Sequence, residues 1–179
     1  LNAALGLTGV NVEVISTEFQ KDTHQIPHDL YFLDVHRLLC YFLASPKLAE
    51  ISEDMRIDHI AFSRSDISRL LVSIAASFRV KSDDGTWEHA MWLHNKYGGV
   101  GKLNKNVHNT DANFVALEFR EACNKILHAE MVTFDIARSD NGSEILNPYV
   151  YLHGSRGKQS WRAELDIVAF CLAAQNIVV

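Results

Sequence analysis

The spacing of the apolar residues changes from a helical to an alternating pattern close to residue 130, and that change limits the folds that the sequence can adopt. Before it, apolar side chains recur every three or four residues, which places them along one side of an α-helix. After it, Val132, Phe134 and Ile136 alternate with polar residues, which is typical of a β-strand with one buried face. We therefore expect helices in the first part of the chain and strands in the last part.

Four segments in the first part carry the helical pattern: residues 30–44, about 55–80, 87–97 and 112 to about 130. Asp29 stands at the N-cap position of the first segment, and Thr110 or Asp111 stands at that of the last. Pro46 is expected to end the first helix, because the residue before a proline disfavours helical geometry. The Gly, Asn and Lys residues over 98–110 predict a loop before the last helix.

Three short alternating segments follow residue 130, around residues 132–136, 149–153 and 161–165, with turn residues between them. Asp166 is then positioned to cap a closing helix. The expected fold class is mainly α: an antiparallel helical bundle over residues 28–130, followed by a small three-stranded antiparallel β-meander and a C-terminal helix over 131–179. The 179 residues fit one domain, 1–179.

The charge balance argues against a protein that coats nucleic acid. The chain has 17 Lys and Arg against 22 Asp and Glu, a net charge of −5, whereas such proteins carry a strong basic excess. A local basic site is still compatible with this total.

The cysteines and the apolar stretches indicate the cellular compartment in which the protein is expected. Cys40, Cys123 and Cys171 are odd in number and lie far apart among apolar neighbours, which favours buried, reduced thiols in a cytoplasmic protein. The most apolar stretch, residues 30–44, contains charged residues and is too short to cross a bilayer. We therefore expect no membrane association.

Two common kinds of ligand site are not expected. Residues 96–102 resemble the phosphate loop of one branch of P-loop NTPases, but Leu103 replaces the magnesium-binding hydroxyl and a predicted helix precedes the loop instead of a strand. A connecting loop is therefore the favoured interpretation. The 9 histidines show no spacing typical of a metal site, so we expect neither a metal nor a cofactor.

The last predicted helix carries the most informative polar residues. Arg120, Asn124 and His128 follow one another at intervals of four residues, so they line one ridge of the helix. Beside this ridge runs an apolar stripe of Val115, Phe119, Ala122, Cys123 and Ile126. Such a ridge can supply a general acid or base (His128), an amide that orients it (Asn124) and a cation for anionic charge (Arg120). The alternative is a solvated helix face with an ordinary histidine in its last turn.

Two basic stretches fit an anionic partner such as RNA. The stretch between Glu88 and Asp111 contains no acid and contributes Lys96, Lys102 and Lys105. The stretch between Glu144 and Glu164 contributes Arg156, Lys158 and Arg162, and loops that contact phosphates have this composition. Ordinary solvated loops have the same composition, so both interpretations stay open.

Residues 123–129, Cys-Asn-Lys-Ile-Leu-His-Ala, resemble the signature of HEPN domains, in which an Arg is followed by a polar residue and then by a His one turn later. The resemblance covers mainly residues 28–130. It implies a helical bundle, a homodimer, and RNA binding or metal-independent RNA cleavage in a toxin–antitoxin or anti-phage system. Asn124 and His128 match the signature, whereas Cys123 stands at the position of the family's Arg. Either Arg120 substitutes for that Arg, or the domain binds RNA without cleaving it.

A protein of a different class fits the same residues. A non-catalytic interaction or scaffold subunit would use the ridge for packing alone, and Cys123 at the arginine position favours it. Whether the chain is an enzyme therefore stays open. The expected partners are RNA, a second copy of the chain, or another protein.

Overall fold

Four helices and five strands make up the part of the chain that the computed structural model describes, namely residues 28–83, 99–107, 114–138, 142 and 144–176. The helices are α1 (His28–Ile51), α2 (Glu53–Asp83), α3 (Phe119–Leu127) and α4 (Ile167–Asn176). The strands are β1 (Gly101–Asn104), β2 (Val115–Ala116), β3 (Met131–Arg138), β4 (Glu144–Arg156) and β5 (Gln159–Asp166). The predicted helix over 87–97 lies outside the described residues.

All five strands form one antiparallel sheet in the order β2-β1-β5-β4-β3. The predicted fold class, a helical bundle followed by a three-stranded meander, is therefore wrong. The three alternating segments do form β3, β4 and β5, but β1 and β2 come from residues predicted as a loop and as the start of a helix. Strands of 4 and 2 residues are too short for an alternating pattern to show.

The helix predicted over residues 112–130 begins only at Phe119. Backbone hydrogen bonds link Val100 N–H to the Leu117 carbonyl at 2.7 Å and Leu117 N–H to the Gly101 carbonyl at 2.9 Å. The segment before Phe119 therefore pairs with the β1 region instead of continuing the helix, and Val115 is exposed. The rest of the predicted apolar stripe is buried: Phe119, Ala122, Cys123 and Ile126.

Helix α1 continues past Pro46, contrary to the prediction that this proline ends it. Contacts with the sheet hold the turn around the proline: the Ser45 hydroxyl accepts a hydrogen bond from Leu146 N–H in β4 at 2.8 Å, and Ala49 is buried. This packing offsets the backbone hydrogen bond that the proline removes. No described helix has the length and apolar character needed to cross a membrane.

The helices cover one face of the sheet. In register across three strands, Leu103, Ala163 and Leu152 are buried on that face. At the centre of the helical layer lies Phe119, whose ring centroid is 4.9 Å from that of Phe78 in α2 and 4.9 Å from that of Phe170 in α4. One side chain of α3 therefore joins three of the four described helices.

The cap of α4 and the cysteines give mixed outcomes. Ala169 N–H donates to the Asp166 carboxylate at 3.0 Å, which confirms the predicted cap. Cys123 and Cys171 are buried as predicted, but Cys40 is exposed, so the prediction of three buried thiols is wrong. Position 40 lies on the side of α1 that faces away from the core, although its sequence neighbours are apolar.

Candidate functional site

A cleft of about 580 Å³ lies where the C-terminal end of α3 meets α2 and the β4–β5 hairpin. Its lining from α3 and the following turn consists of Glu121, Asn124, Lys125, His128 and Glu130. The remaining lining residues are Arg79 from α2 and Ser155, Arg156 and Trp161 from the hairpin. Three separate parts of the chain therefore build this site.

The amphipathic character of α3 explains why its polar residues reach the cleft. The buried positions of α3 face the core at intervals of three and four residues, so the positions between them face the hairpin. The helix ends at Leu127, and His128 is its C-cap, with φ −112° and ψ 11°. The backbone N–H of His128 still donates to the Asn124 carbonyl at 3.1 Å. The exposed imidazole is therefore attached to a fixed helix terminus.

A chain of polar contacts joins α2 to α3 inside the cleft. The Arg79 guanidinium donates a hydrogen bond from Nη1 to Asn124 Oδ1. Asn124 Nδ2 donates to Glu121 Oε2 at 3.2 Å, and the other Glu121 oxygen pairs with Lys125 Nζ at 3.3 Å. The Asn124 side chain therefore holds Arg79 in place.

The hairpin side of the cleft is held close to α3 by two features. Lys125 Nζ lies 4.4 Å from the centroid of the Trp161 ring, a cation–π contact. A Cβ atom at Gly154 would come within 2.3 Å of the Trp161 ring and 2.9 Å of the His128 carbonyl oxygen. Only glycine at position 154 allows the ring and the turn after α3 to approach this closely.

A second cavity of about 200 Å³ continues the cleft toward β1. The two cavities share Glu121, Lys125, Arg156 and Trp161, and the second adds Lys105. Together they are lined by 4 basic and 2 acidic side chains, a net charge of +2 with His128 neutral, on a chain whose net charge is −5. The connected cavities are called the basic groove below.

The residues of the predicted ridge have different positions. Asn124 and His128 line the cleft, whereas Arg120 is half-buried and lies outside the set that lines the basic groove. Because α3 ends at Leu127, the ridge covers two turns of helix and His128 lies just beyond them. The catalytic roles assigned to these three residues remain predictions.

Only some of the basic residues predicted to bind RNA line the basic groove. Arg156 lines both cavities and Lys105 lines the second. Lys102 is exposed in β1 opposite Glu164 of β5, and Lys158 is exposed in the hairpin turn; neither lines the groove. Lys96 lies outside the described residues.

Arg79 is one of several cleft residues that sequence reasoning missed; the others are Glu121, Lys125, Glu130, Ser155 and Trp161. Arg79 lies 45 residues before Asn124, and no local motif in α2 marks it.

Cys123, at the position of the arginine in the HEPN signature, is fully buried. Burial raises the pKa of the Cys123 thiol, and the nearby Arg79 guanidinium counteracts part of that effect. A side chain at position 123 therefore faces the core. The cation beside Asn124 is Arg79 of α2 instead.

Among the described residues, no group of three or more His, Cys, Asp and Glu side chains could hold a metal ion. Comparison of the chain with models of protein families, with curated proteins and with solved structures found no match. The resemblance to HEPN domains therefore stays a prediction that rests on residues 123–129.

Proposed function

We propose that the basic groove binds the phosphate backbone of RNA and that His128 transfers a proton in its metal-independent cleavage. The observation that carries this proposal is that Asn124, His128 and Arg156, each singled out by its sequence pattern, line one cleft together with Arg79. A net positive groove on an acidic chain favours a local anionic ligand.

The side chains of the cleft match what phosphodiester cleavage requires. The phosphate is anionic and gains charge in the transition state, so a guanidinium near it stabilises the reaction. Arg79 is held by Asn124, and Arg156 lies on the hairpin side of the same cleft. An imidazole exchanges protons near neutral pH and therefore suits transfer to or from a ribose oxygen.

The shape of the groove suits a chain-like ligand. A cleft of about 580 Å³ falls in the range of small-molecule sites, about 300–1,000 Å³. The second cavity continues from it past Arg156 to Lys105. Successive phosphates of one RNA strand could therefore contact successive basic side chains.

The cation and the histidine of this site come from one chain. Arg79 and His128 line the same cleft, so the proposed reaction needs no residue of a second copy. A homodimer, a partner protein and a role in a toxin–antitoxin or anti-phage system remain predictions from the resemblance. We place the activity in the cytoplasm, where the free thiols of Cys40, Cys123 and Cys171 would stay reduced.

One observation favours a site that binds RNA without cleaving it. The Asn124 side chain contacts Arg79 and Glu121, which leaves the imidazole of His128 without the orienting amide that the resemblance implies. A binding module would use Arg79, Lys125 and Arg156 for phosphates and would not depend on His128.

The test is an RNA cleavage assay in EDTA with the full chain, His128→Ala and Arg79→Gln. Matched controls are His36→Ala, an exposed histidine of α1, and Arg64→Gln, an exposed arginine of α2. We expect His128→Ala to lower the rate by about 10²- to 10⁴-fold. Both controls should keep the activity of the unmodified chain.

Three other outcomes separate the alternatives. Cleavage that neither His128→Ala nor Arg79→Gln alters would contradict the proposal and indicate a contaminating nuclease. RNA binding that weakens with salt, without cleavage, would favour the binding module. If the chain neither binds nor cleaves RNA, the non-catalytic interaction protein is the interpretation that remains.

A further inference from the structure

Glu130 lies two residues after His128 in the turn between α3 and β3, and both side chains line the same cleft. Backbone hydrogen bonds fix the two ends of this turn. His128 N–H donates to the Asn124 carbonyl at 3.1 Å, and Glu130 N–H donates to the His153 carbonyl of β4 at 2.8 Å. A carboxylate and an imidazole are therefore held at one end of the cleft.

The carboxylate of Glu130 is oriented through one of its oxygens. Oε1 accepts hydrogen bonds from the backbone N–H of Ser155, at 3.1 Å, and from the Ser155 hydroxyl. No hydrogen bond from a described residue reaches Oε2. The second oxygen is therefore the one that can accept a proton from a ligand in the cleft.

Glu121, the other acid of the cleft, is differently placed. Its Oε2 accepts a hydrogen bond from Asn124 and its Oε1 pairs with Lys125. Both of its oxygens are therefore occupied in holding the cationic side of the cleft. Of the two acids that line the cleft, Glu130 has the oxygen suited to proton transfer.

We propose that Glu130 and His128 form an acid–base pair whose substrate is a phosphodiester with a neighbouring 2′-hydroxyl, as in RNA; this rests on the proposed function. Glu130 takes the proton of the 2′-hydroxyl as the bond from O2′ to phosphorus forms. The bond from phosphorus to O5′ breaks, and the protonated His128 gives its proton to O5′. The products are a 2′,3′-cyclic phosphate and a 5′-hydroxyl, and exchange with water restores both side chains.

The pair predicts a bell-shaped dependence of kcat/KM on pH, because the reaction needs ionised Glu130 and protonated His128. The charged groups that share the cleft with the pair are Arg79 from α2, Glu121 and Lys125 from α3, and Arg156 from β4.

The experiment measures pH–rate profiles in EDTA on a short RNA with one cleavable site, for the full chain and for Glu130→Gln. Glutamine keeps an oxygen that can accept the Ser155 hydrogen bonds but cannot take a proton. We expect kcat to fall by about 10²- to 10⁴-fold and the acidic limb to disappear, while RNA affinity is retained. Glu130→Asp should restore the acidic limb, and Glu118→Gln, an exposed position at the N-cap of α3, should change nothing.

The outcomes separate this inference from the proposed function. Cleavage that depends on His128 but keeps its rate and both pH limbs in Glu130→Gln overturns the acid–base pair alone. Cleavage of a substrate whose 2′-hydroxyl at the cleavage site is replaced by hydrogen also overturns it. A full chain that does not cleave RNA at all overturns the proposed function and this inference together.

Discussion

Replacing Phe119 by alanine tests the packing that places α3 between the other helices. The side chain is fully buried, and its ring contacts Phe78 at one side and Phe170 at the other. Because the three rings belong to three helices, no single element can move in to fill the space that the truncation leaves. The cavity should therefore stay largely open.

The expected loss follows from that geometry. A buried Phe→Ala change costs about 3–5 kcal/mol of unfolding free energy, and each aromatic pair contributes about 0.5–1.5 kcal/mol beyond its buried area. Phe119 has two such pairs, both with centroids 4.9 Å apart. We therefore expect a loss in the upper half of that range, about 4–5 kcal/mol.

The measurement is equilibrium unfolding in urea, with the midpoint and the slope fitted for each variant. Phe62→Ala is the matched control, because Phe62 is 73% exposed and its truncation should change the free energy by less than about 0.5 kcal/mol. A loss below about 1 kcal/mol for Phe119→Ala would show that α3 packs through another face. The assignment of its opposite face to the cleft would then be wrong as well.

Three further predictions concern the cleft, the contact between helices α1 and α2, and the glycine-rich segment at residues 96–102. Asn124→Ala should weaken RNA binding about tenfold in fluorescence anisotropy, because Arg79 loses the acceptor that holds it; unchanged affinity would contradict this role. Hydrogen bonds from Tyr41 and Arg69 lower the pKa of Asp66 below its ordinary value of 3.8. The ionised Asp66 therefore stabilises the folded chain above that pH, and this stabilisation is lost as the pH falls through the lowered pKa. Asp66→Asn should therefore lose less stability on acidification than the unmodified chain, and equal losses in unfolding titrations would refute this. ATP or GTP with magnesium should leave the melting temperature unchanged, because strand β1 begins within the glycine-rich segment, at Gly101, where a phosphate loop needs a helix to follow; a saturable rise would show otherwise.

The long helices and the strands β3, β4 and β5 could be predicted because their patterns are local. In α2 the apolar residues repeat over 31 residues, and in β5 the alternation of Trp161, Ala163 and Leu165 matches their burial. The cap at Asp166 also depends only on its neighbours. Each of these features depends only on residues within one helix or strand, or directly beside it.

The short strands could not be predicted, because their hydrogen-bond partners lie far away in sequence. Leu103 in β1 pairs with Ala163 in β5 and with Val115 in β2. Nothing in the 4 residues of β1 alternates strongly enough to distinguish a strand from a loop. Long-range pairing therefore determines this edge of the sheet, and it also displaces the predicted start of α3.

The candidate site could also be predicted only in part, and the part that could not be predicted depends on packing in the core. Asn124 and His128 were found because helical spacing is local, whereas Arg79 reaches them only through the packing of α2 on α3. Phe78, the residue before Arg79, contacts Phe119 on the buried side of α3. The aromatic contact in the core and the hydrogen bond from Arg79 to Asn124 in the cleft therefore fix the same two helices from opposite sides. Sequence patterns describe each helix alone, so they could place a histidine and an amide on one helix but could not show that Arg79 of α2 lies beside them.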